Sequence, residues 1–202
     1  MYARVASIEG PTDGLVDAIE SNVIPVLQHL DGFHGGYWTT RPGGHAISIT
    51  FFESPQVLAT SRATADRLRQ QLAADQGLKI DFAEYEVIES SGMKVHRDAA
   101  VMRVAEVVAE AGNLERGREV ISRAIPQLSL IDGFDGGVWL ADSNRSHGMS
   151  LILFNSQERL DAGSDQLNVV RENILAAIEG KTRSVDDYDI VTRSEVPQPA
   201  QH

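Results

Sequence analysis

The chain contains two copies of one sequence unit. Ile24, Pro25, Leu27, Asp31, Gly32, Phe33, Gly35, Gly36 and Trp38 recur as Ile125, Pro126, Leu128, Asp132, Gly133, Phe134, Gly136, Gly137 and Trp139. These are nine identities in a fifteen-residue stretch, at an offset of 125 − 24 = 101 residues. Chance does not produce such a match in a chain of 202 residues. The correspondence then slips by single residues. His45, Ser48, Phe52 and Ser54 match His147, Ser150, Phe154 and Ser156 at an offset of 102, and Tyr85 matches Tyr188 at 103. Surface turns tolerate such slips; strands and helices do not. A period of this length is domain-sized and too long for a solenoid. The expected organisation is a first copy over 1–92, a second over 98–194, and a loose tail over 195–202.

Each copy carries the same order of periodic segments. Tyr2 to Ile8 is a short, partly apolar run closed by Gly10-Pro11, which predicts a strand and a turn. Leu15, Ile19, Val23 and Leu27 recur every four residues and predict a helix that Pro25 bends or ends. Strands follow at Phe33–Thr39 and His45–Phe52. Ser54-Pro55 has a capping residue followed by a residue suited to the first helical turn. The helix it opens carries Leu58, Ala65, Leu68 and Leu72. Ala83, Tyr85 and Val87 then alternate with Glu84 and Glu86 in a strand with one wet face. The second copy repeats this with strands at Val101–Val108, Phe134–Leu140, His147–Phe154 and Val185–Val191. Its helical stripes are Leu114, Ile121, Ile125, Leu128 and then Leu160, Leu167, Val170, Ile174, Ile178. The order is βαββαβ twice, a tandem ferredoxin-like α+β chain. Helices cover one face of each antiparallel sheet, and the second copy can cover the other face, sheet on sheet.

Composition removes several functions. Acidic residues outnumber basic ones, 29 to 18, and the net charge is −11. Neither a nucleic-acid partner nor an anionic membrane is expected on that balance. There is no cysteine, so thiolate metal sites, disulfides and Cys nucleophiles are excluded, and no His spacing suggests a metal. Met1 to Ala6 lacks the apolar core of a signal peptide, and no apolar run reaches membrane-spanning length. The expected location is the cytoplasm.

The Asp-Gly-Phe-x-Gly-Gly-x-Trp segments at Asp31–Trp38 and Asp132–Trp139 resemble the dimeric α/β-barrel superfamily. They resemble in particular its antibiotic-biosynthesis-monooxygenase-like domains. So do the preceding Pro25 and Pro126, and the Phe-x-Ser-x-x-x-Leu segments at Phe52–Leu58 and Phe154–Leu160. The resemblance covers nearly all of both copies and speaks more to fold than to activity. It implies a barrel-like body built within one chain, a monomeric pseudo-dimer or a homodimer of the tandem unit. It also implies a small-molecule ligand and, in the enzymatic version, cofactor-independent oxidation of an aromatic substrate. Phe52 and Phe154 stand where such domains often carry Trp. The Asn and helix-borne His of the haem-degrading members have no match, so haem degradation is not expected.

The candidate ligand-binding residues are Trp38, Ser48, Thr50, Phe52 and Tyr85, with Trp139, Ser150, Phe154 and Tyr188 in the second copy. A tryptophan at equivalent positions is either a cavity wall or a large core residue. His45 and His147 open equivalent strands and are the weak catalytic candidates; the alternative is a turn histidine bonded locally. Asp31 and Asp132 read as turn residues, and the glycine pairs form no phosphate loop. Strand alternation puts Ser48, Thr50 and Phe52 on one face and Ile47, Ile49 and Phe51 on the other. The greasier face is expected under the helices, and the more polar face, with Ser150, Ile152 and Phe154, in the barrel interior. The competing reading is a non-catalytic stress-associated or assembly domain whose barrel is filled by side chains.

Overall fold

The elements follow the repeat. The computed structural model describes residues 1–91 and 99–195; the expected seam at 92–98, the tail beyond 195 and the side chains of Leu114 and Glu115 lie outside the described residues. The first copy is β1 (Tyr2–Glu9), α1 (Leu15–Ala18), a π-helical turn (Ile19–Val23), α2 (Ile24–Gln28), β2 (Phe33–Arg41), β3 (His45–Phe52), α3 (Pro55–Thr60), α4 (Arg62–Gln76) and β4 (Lys79–Ser90). The second is β5 (Val101–Val108), α5 (Asn113–Leu128), β6 (Phe134–Ala141), β7 (His147–Phe154), α6 (Gln157–Ile178) and β8 (Lys181–Ser194). The chain divides into two compact units, Tyr85–Asp189 and the remainder. The division cuts β4 and β8, which run to 12 and 14 residues and contribute to both units.

The two copies solve their proline differently. In the first, the widened π turn comes just before Pro25, which has no N–H to offer the preceding turn. In the second, Pro126 sits within α5 only two residues from its last residue, Leu128. The second helix also differs. α6 is continuous over 22 residues, whereas its counterpart breaks at Ser61 into α3 and α4. Both start as the sequence predicts: the Ser54 hydroxyl accepts from the Val57 N–H at 3.2 Å, and the Ser156 hydroxyl from the Arg159 N–H at 3.3 Å.

Antiparallel register sets equivalent residues in equivalent rows. In the first unit, Ala6 lies opposite Ser48 and Ser48 opposite Trp38; the next row is Arg4, Thr50 and Gly36. In the second, the rows are Ala105, Ser150, Trp139 and Arg103, Ile152, Gly137. A third row is aromatic. Phe33 and Phe52 meet edge to face at 5.9 Å, and Phe134 and Phe154 at 6.1 Å. Such pairs add specificity to a large apolar burial.

The face assignment of β3 needs correction. Ala46, Phe52 and Trp38 pack with Leu15, Ile19, Leu27 and Leu68 of the helices, so the side with Ser48 and Thr50 is the helix side. Ile47, Ile49 and Phe51 point the other way, where Tyr37 meets Phe51 edge to face at 6.4 Å. Both faces are buried, from Phe52 at 0% to Thr50 at 7% exposure. Comparing polarity across a strand identifies the core side only when the other side is wet, and here neither is. The same holds in β7, where Phe154 and Ile152 belong to the cluster under α5 and α6.

Candidate functional site

Each unit has a pocket between its sheet and its helices, and the row of small residues makes it. Ala and Ser beside Trp leave space above the sheet that longer side chains would fill. In the second unit this space is ≈ 730 Å³ including its opening to solvent, walled by Trp139, Ser150, Ala105, Ile121, Ile174 and Arg171 among others. In the first it is ≈ 550 Å³, walled by Trp38, Ser48, Ala6, Leu72, Phe82 and Arg69 among others. Both are lined mostly by apolar side chains, as small-molecule sites are.

The tryptophans sit differently on their sheets. A Cβ on Gly137 would come within 2.6 Å of Trp139 Cη2, so the Trp139 ring lies over that glycine and needs its missing side chain. A Cβ on Gly36 would instead strike the Ile49 carbonyl oxygen at 2.6 Å, a backbone contact that cannot yield. Gly137 therefore shapes the pocket wall, while Gly36 permits a close approach of two strands.

The repeat also encodes two arginines that periodicity does not reveal, one buried and one partly buried. Arg4 and Arg103 hold the same position in the first strand of each copy, at an offset of 103 − 4 = 99. Arg4 is 4% exposed. It donates to Ser61 Oγ at 3.0 Å, the Leu58 carbonyl at 2.9 Å and Glu84 Oε1 at 2.9 Å, and lies over the Phe52 and Phe82 rings. Arg103 grips Asp187 with Nε and Nη2, both at 2.7 Å, and donates to Ser164 at 2.9 Å. Such paired, hydrogen-bonded charges are the form in which a buried guanidinium is tolerated. The Arg62 hydrogen bond, followed by those and the charge of Arg4, holds the Glu84 carboxyl below its ordinary range against the opposing effect of burial. The bond to Asp187 raises the Arg103 pKa, again against burial. Both arginines line their pockets with their donors committed.

The other expected site residues divide into three groups. Trp38, Ser48 and Thr50 line the first pocket, and Trp139 and Ser150 the second. The Thr50 hydroxyl donates to the Arg4 carbonyl at 3.3 Å. Ser48 and Ser150 make no side-chain hydrogen bond among the described residues, leaving those hydroxyls to the pockets. Phe52 and Phe154 are fully buried in the aromatic row and belong to the core. Tyr85 and Tyr188 lie outside both linings. Burial first, then the Glu106 and Asp142 carboxylates, raise the Tyr85 pKa, with Arg183 opposing. Tyr188 pairs across the ladder with Met102.

The histidines open β3 and β7 and line neither pocket. His147 Nδ1 lies 3.1 Å from Ser146 Oγ and 3.4 Å from Asp142 Oδ2. Serine and aspartate thus meet the same ring nitrogen, whereas a relay needs one at each nitrogen. Asp142 also accepts the N–H groups of Ser146 and His147 at 2.8 and 3.1 Å, which makes it a turn cap. Burial would raise its pKa, but these bonds and the nearby imidazole outweigh it and the shift is downward. Among the described residues no group of three or more His, Cys, Asp or Glu side chains is arranged to hold a metal. No helix among them is long and apolar enough to cross a membrane.

No family model matches the chain. Two uncharacterised proteins of Mycobacterium tuberculosis, from strains CDC 1551/Oshkosh and H37Rv, are each 24% identical to it over 197 residues, covering 94% of this chain and 87% of theirs. A crystal structure from Lactobacillus acidophilus NCFM, provisionally called a monooxygenase, covers 96% of this chain and 95% of its own at 12% identity and a TM-score of 0.68. An anthrone oxidase-like protein covers 98% and 94%, at 12% and 0.67. The heme-degrading enzyme of Listeria monocytogenes covers 94% and 99%, at 12% and 0.57. Identities this low carry the fold and no activity. What the chain shares with these structures is an α+β fold, here of two ferredoxin-like repeats.

Proposed function

We propose that the chain binds a small organic molecule in the pocket of the second unit, between sheet and helices. The observation that carries this is the pocket itself: an apolar cavity with an ordered Trp139 wall, a Ser150 hydroxyl turned to it, and two guanidinium groups as its titratable lining. An apolar enclosure with few fixed polar groups is the usual form of a ligand site. The fold's monooxygenase-like neighbours support the enzymatic version, cofactor-independent oxygenation of an aromatic substrate. There, O2 converts an activated CH2 to C=O, the second oxygen atom leaves as water, and the substrate supplies both electrons and both hydrogens. The pocket's part is to exclude water, orient the ring against Trp139 and stabilise negative charge that develops on the substrate. The proposed setting is cytoplasmic, with the tandem chain acting alone or as a homodimer.

Native mass spectrometry on protein purified without added ligand tests this. Extra mass that disappears on denaturation, and is absent from a Ser150→Leu variant, is the expected result. An apo mass, together with no binding by any of a graded set of aromatic compounds, would favour the non-catalytic barrel.

A further inference from the structure

The two pockets differ in whether one lining arginine is paired with a carboxylate. Arg69 and Arg171 are counterparts on α4 and α6, at an offset of 171 − 69 = 102, and each lines its pocket. Arg69 is neutralised: its Nη2 lies 3.1 Å from Asp66 Oδ1, and its guanidinium covers the Phe82 ring at 5.5 Å. The counterpart of Asp66 is Asn168, at the same offset, and it accepts from Arg171 Nη2 at 2.9 Å. An amide accepts that hydrogen bond without cancelling the charge. Arg171 forms no ion pair among the described residues, and its Nε is buried with no hydrogen-bond partner. A buried donor on a charged group, left unmatched, is costly unless something else satisfies it.

We propose that a ligand carboxylate satisfies it: the second unit's pocket takes a flat apolar molecule bearing one carboxylate, received by Arg171. This rests on reading that pocket as a ligand site. A guanidinium presents parallel N–H donors that match a carboxylate's two oxygens. The other charged group of the lining among the described residues, Arg103, is already held by Asp187 and Ser164. Among the described residues no carboxylate lines the pocket to repel the ligand. In the first unit, Asp66 occupies the guanidinium that would play this part.

Isothermal titration calorimetry on the full chain tests the proposal with matched pairs of increasing size. The pairs are benzoate and benzamide, 2-naphthoate and 2-naphthamide, and anthracene-2-carboxylate and its carboxamide. The expected result is one site per chain that prefers the best-fitting carboxylate over its carboxamide by roughly ten- to a hundredfold. Arg171→Met should remove that preference while leaving carboxamide binding in place. Asn168→Asp, which restores the first unit's neutralising carboxylate, should remove most of it. Equal binding of carboxylate and carboxamide, unaltered by either substitution, would overturn the proposal and leave the pocket standing as a ligand site. Absence of binding by every pair would overturn both.

Discussion

The first and second units present the same rows of residues to their helices, yet only one pocket keeps an unneutralised cation. Ala, Ser and Trp face the helices in both, and an arginine from the first strand is fixed by a serine and a carboxylate in both. The difference lies one helix turn along the second helix, Asp66 against Asn168, and in Phe82, which closes over Arg4 and Arg69 in the first unit. A duplicated architecture preserves what the fold needs. The positions free to change are those that the core does not use, so divergence there marks where the copies took different roles.

Filling each pocket gives the largest contrast. Ser150→Leu places a branched side chain beside Trp139 and should weaken aromatic carboxylate binding roughly a hundredfold, whereas Ser48→Leu should leave it unchanged, as read by calorimetry. Equal loss from both would erase the distinction between the units. The arginines of the first strands come next. Arg4→Met should lower unfolding stability by about 3 kcal/mol in urea melts, because the buried Ser61 hydroxyl and Leu58 carbonyl and the partly exposed Glu84 lose their donor. Arg103→Met should cost about 2 kcal/mol, since Asp187, 28% exposed, can turn to water.

The glycines sharpen the comparison further. Gly36→Ala drives a methyl into a backbone carbonyl and should cost about 3 kcal/mol. Gly137→Ala meets side chains, the Trp139 ring and Ile152, and should cost about 1 kcal/mol while altering ligand affinity. The smallest effect concerns pH. Glu84 has a folded pKa below its unfolded one, so its contribution is fully present above the ordinary value of 4.5 and is lost as pH falls through the folded value. Glu84→Gln should cost about 1 kcal/mol at neutral pH, a modest figure because the group is partly exposed, and should flatten the fall in stability on acidification. Urea midpoints measured from neutral to acid pH check this.

Much of this was legible in the sequence because the chain contains its own alignment. The strand and helix order and the Ser54 cap follow from periodicity and repetition. The face of β3 did not, because Ile47, Ile49 and Phe51 are as buried as Phe52, which removes the polarity contrast that alternation depends on. Arg4 and Arg103 passed unnoticed because a lone arginine in an apolar strand gives no periodic signal, although matching first strands pairs them. Their carboxylate partners lie at the far end of each copy, where single-residue slips blur the register. His45 and His147 were visible as a repeated pair, but repetition marks a shared position, and at the start of a strand that position is a turn.

Fluorine NMR on the chain labelled with 5-fluorotryptophan tests the central difference most directly. It gives one resonance per unit, assigned through Trp38→Phe. Addition of the best-bound aromatic carboxylate should shift the Trp139 resonance in a saturable way and leave Trp38 in place. Equal shifts of both resonances, or a shift of Trp38 alone, would contradict the assignment of the ligand site to the second unit.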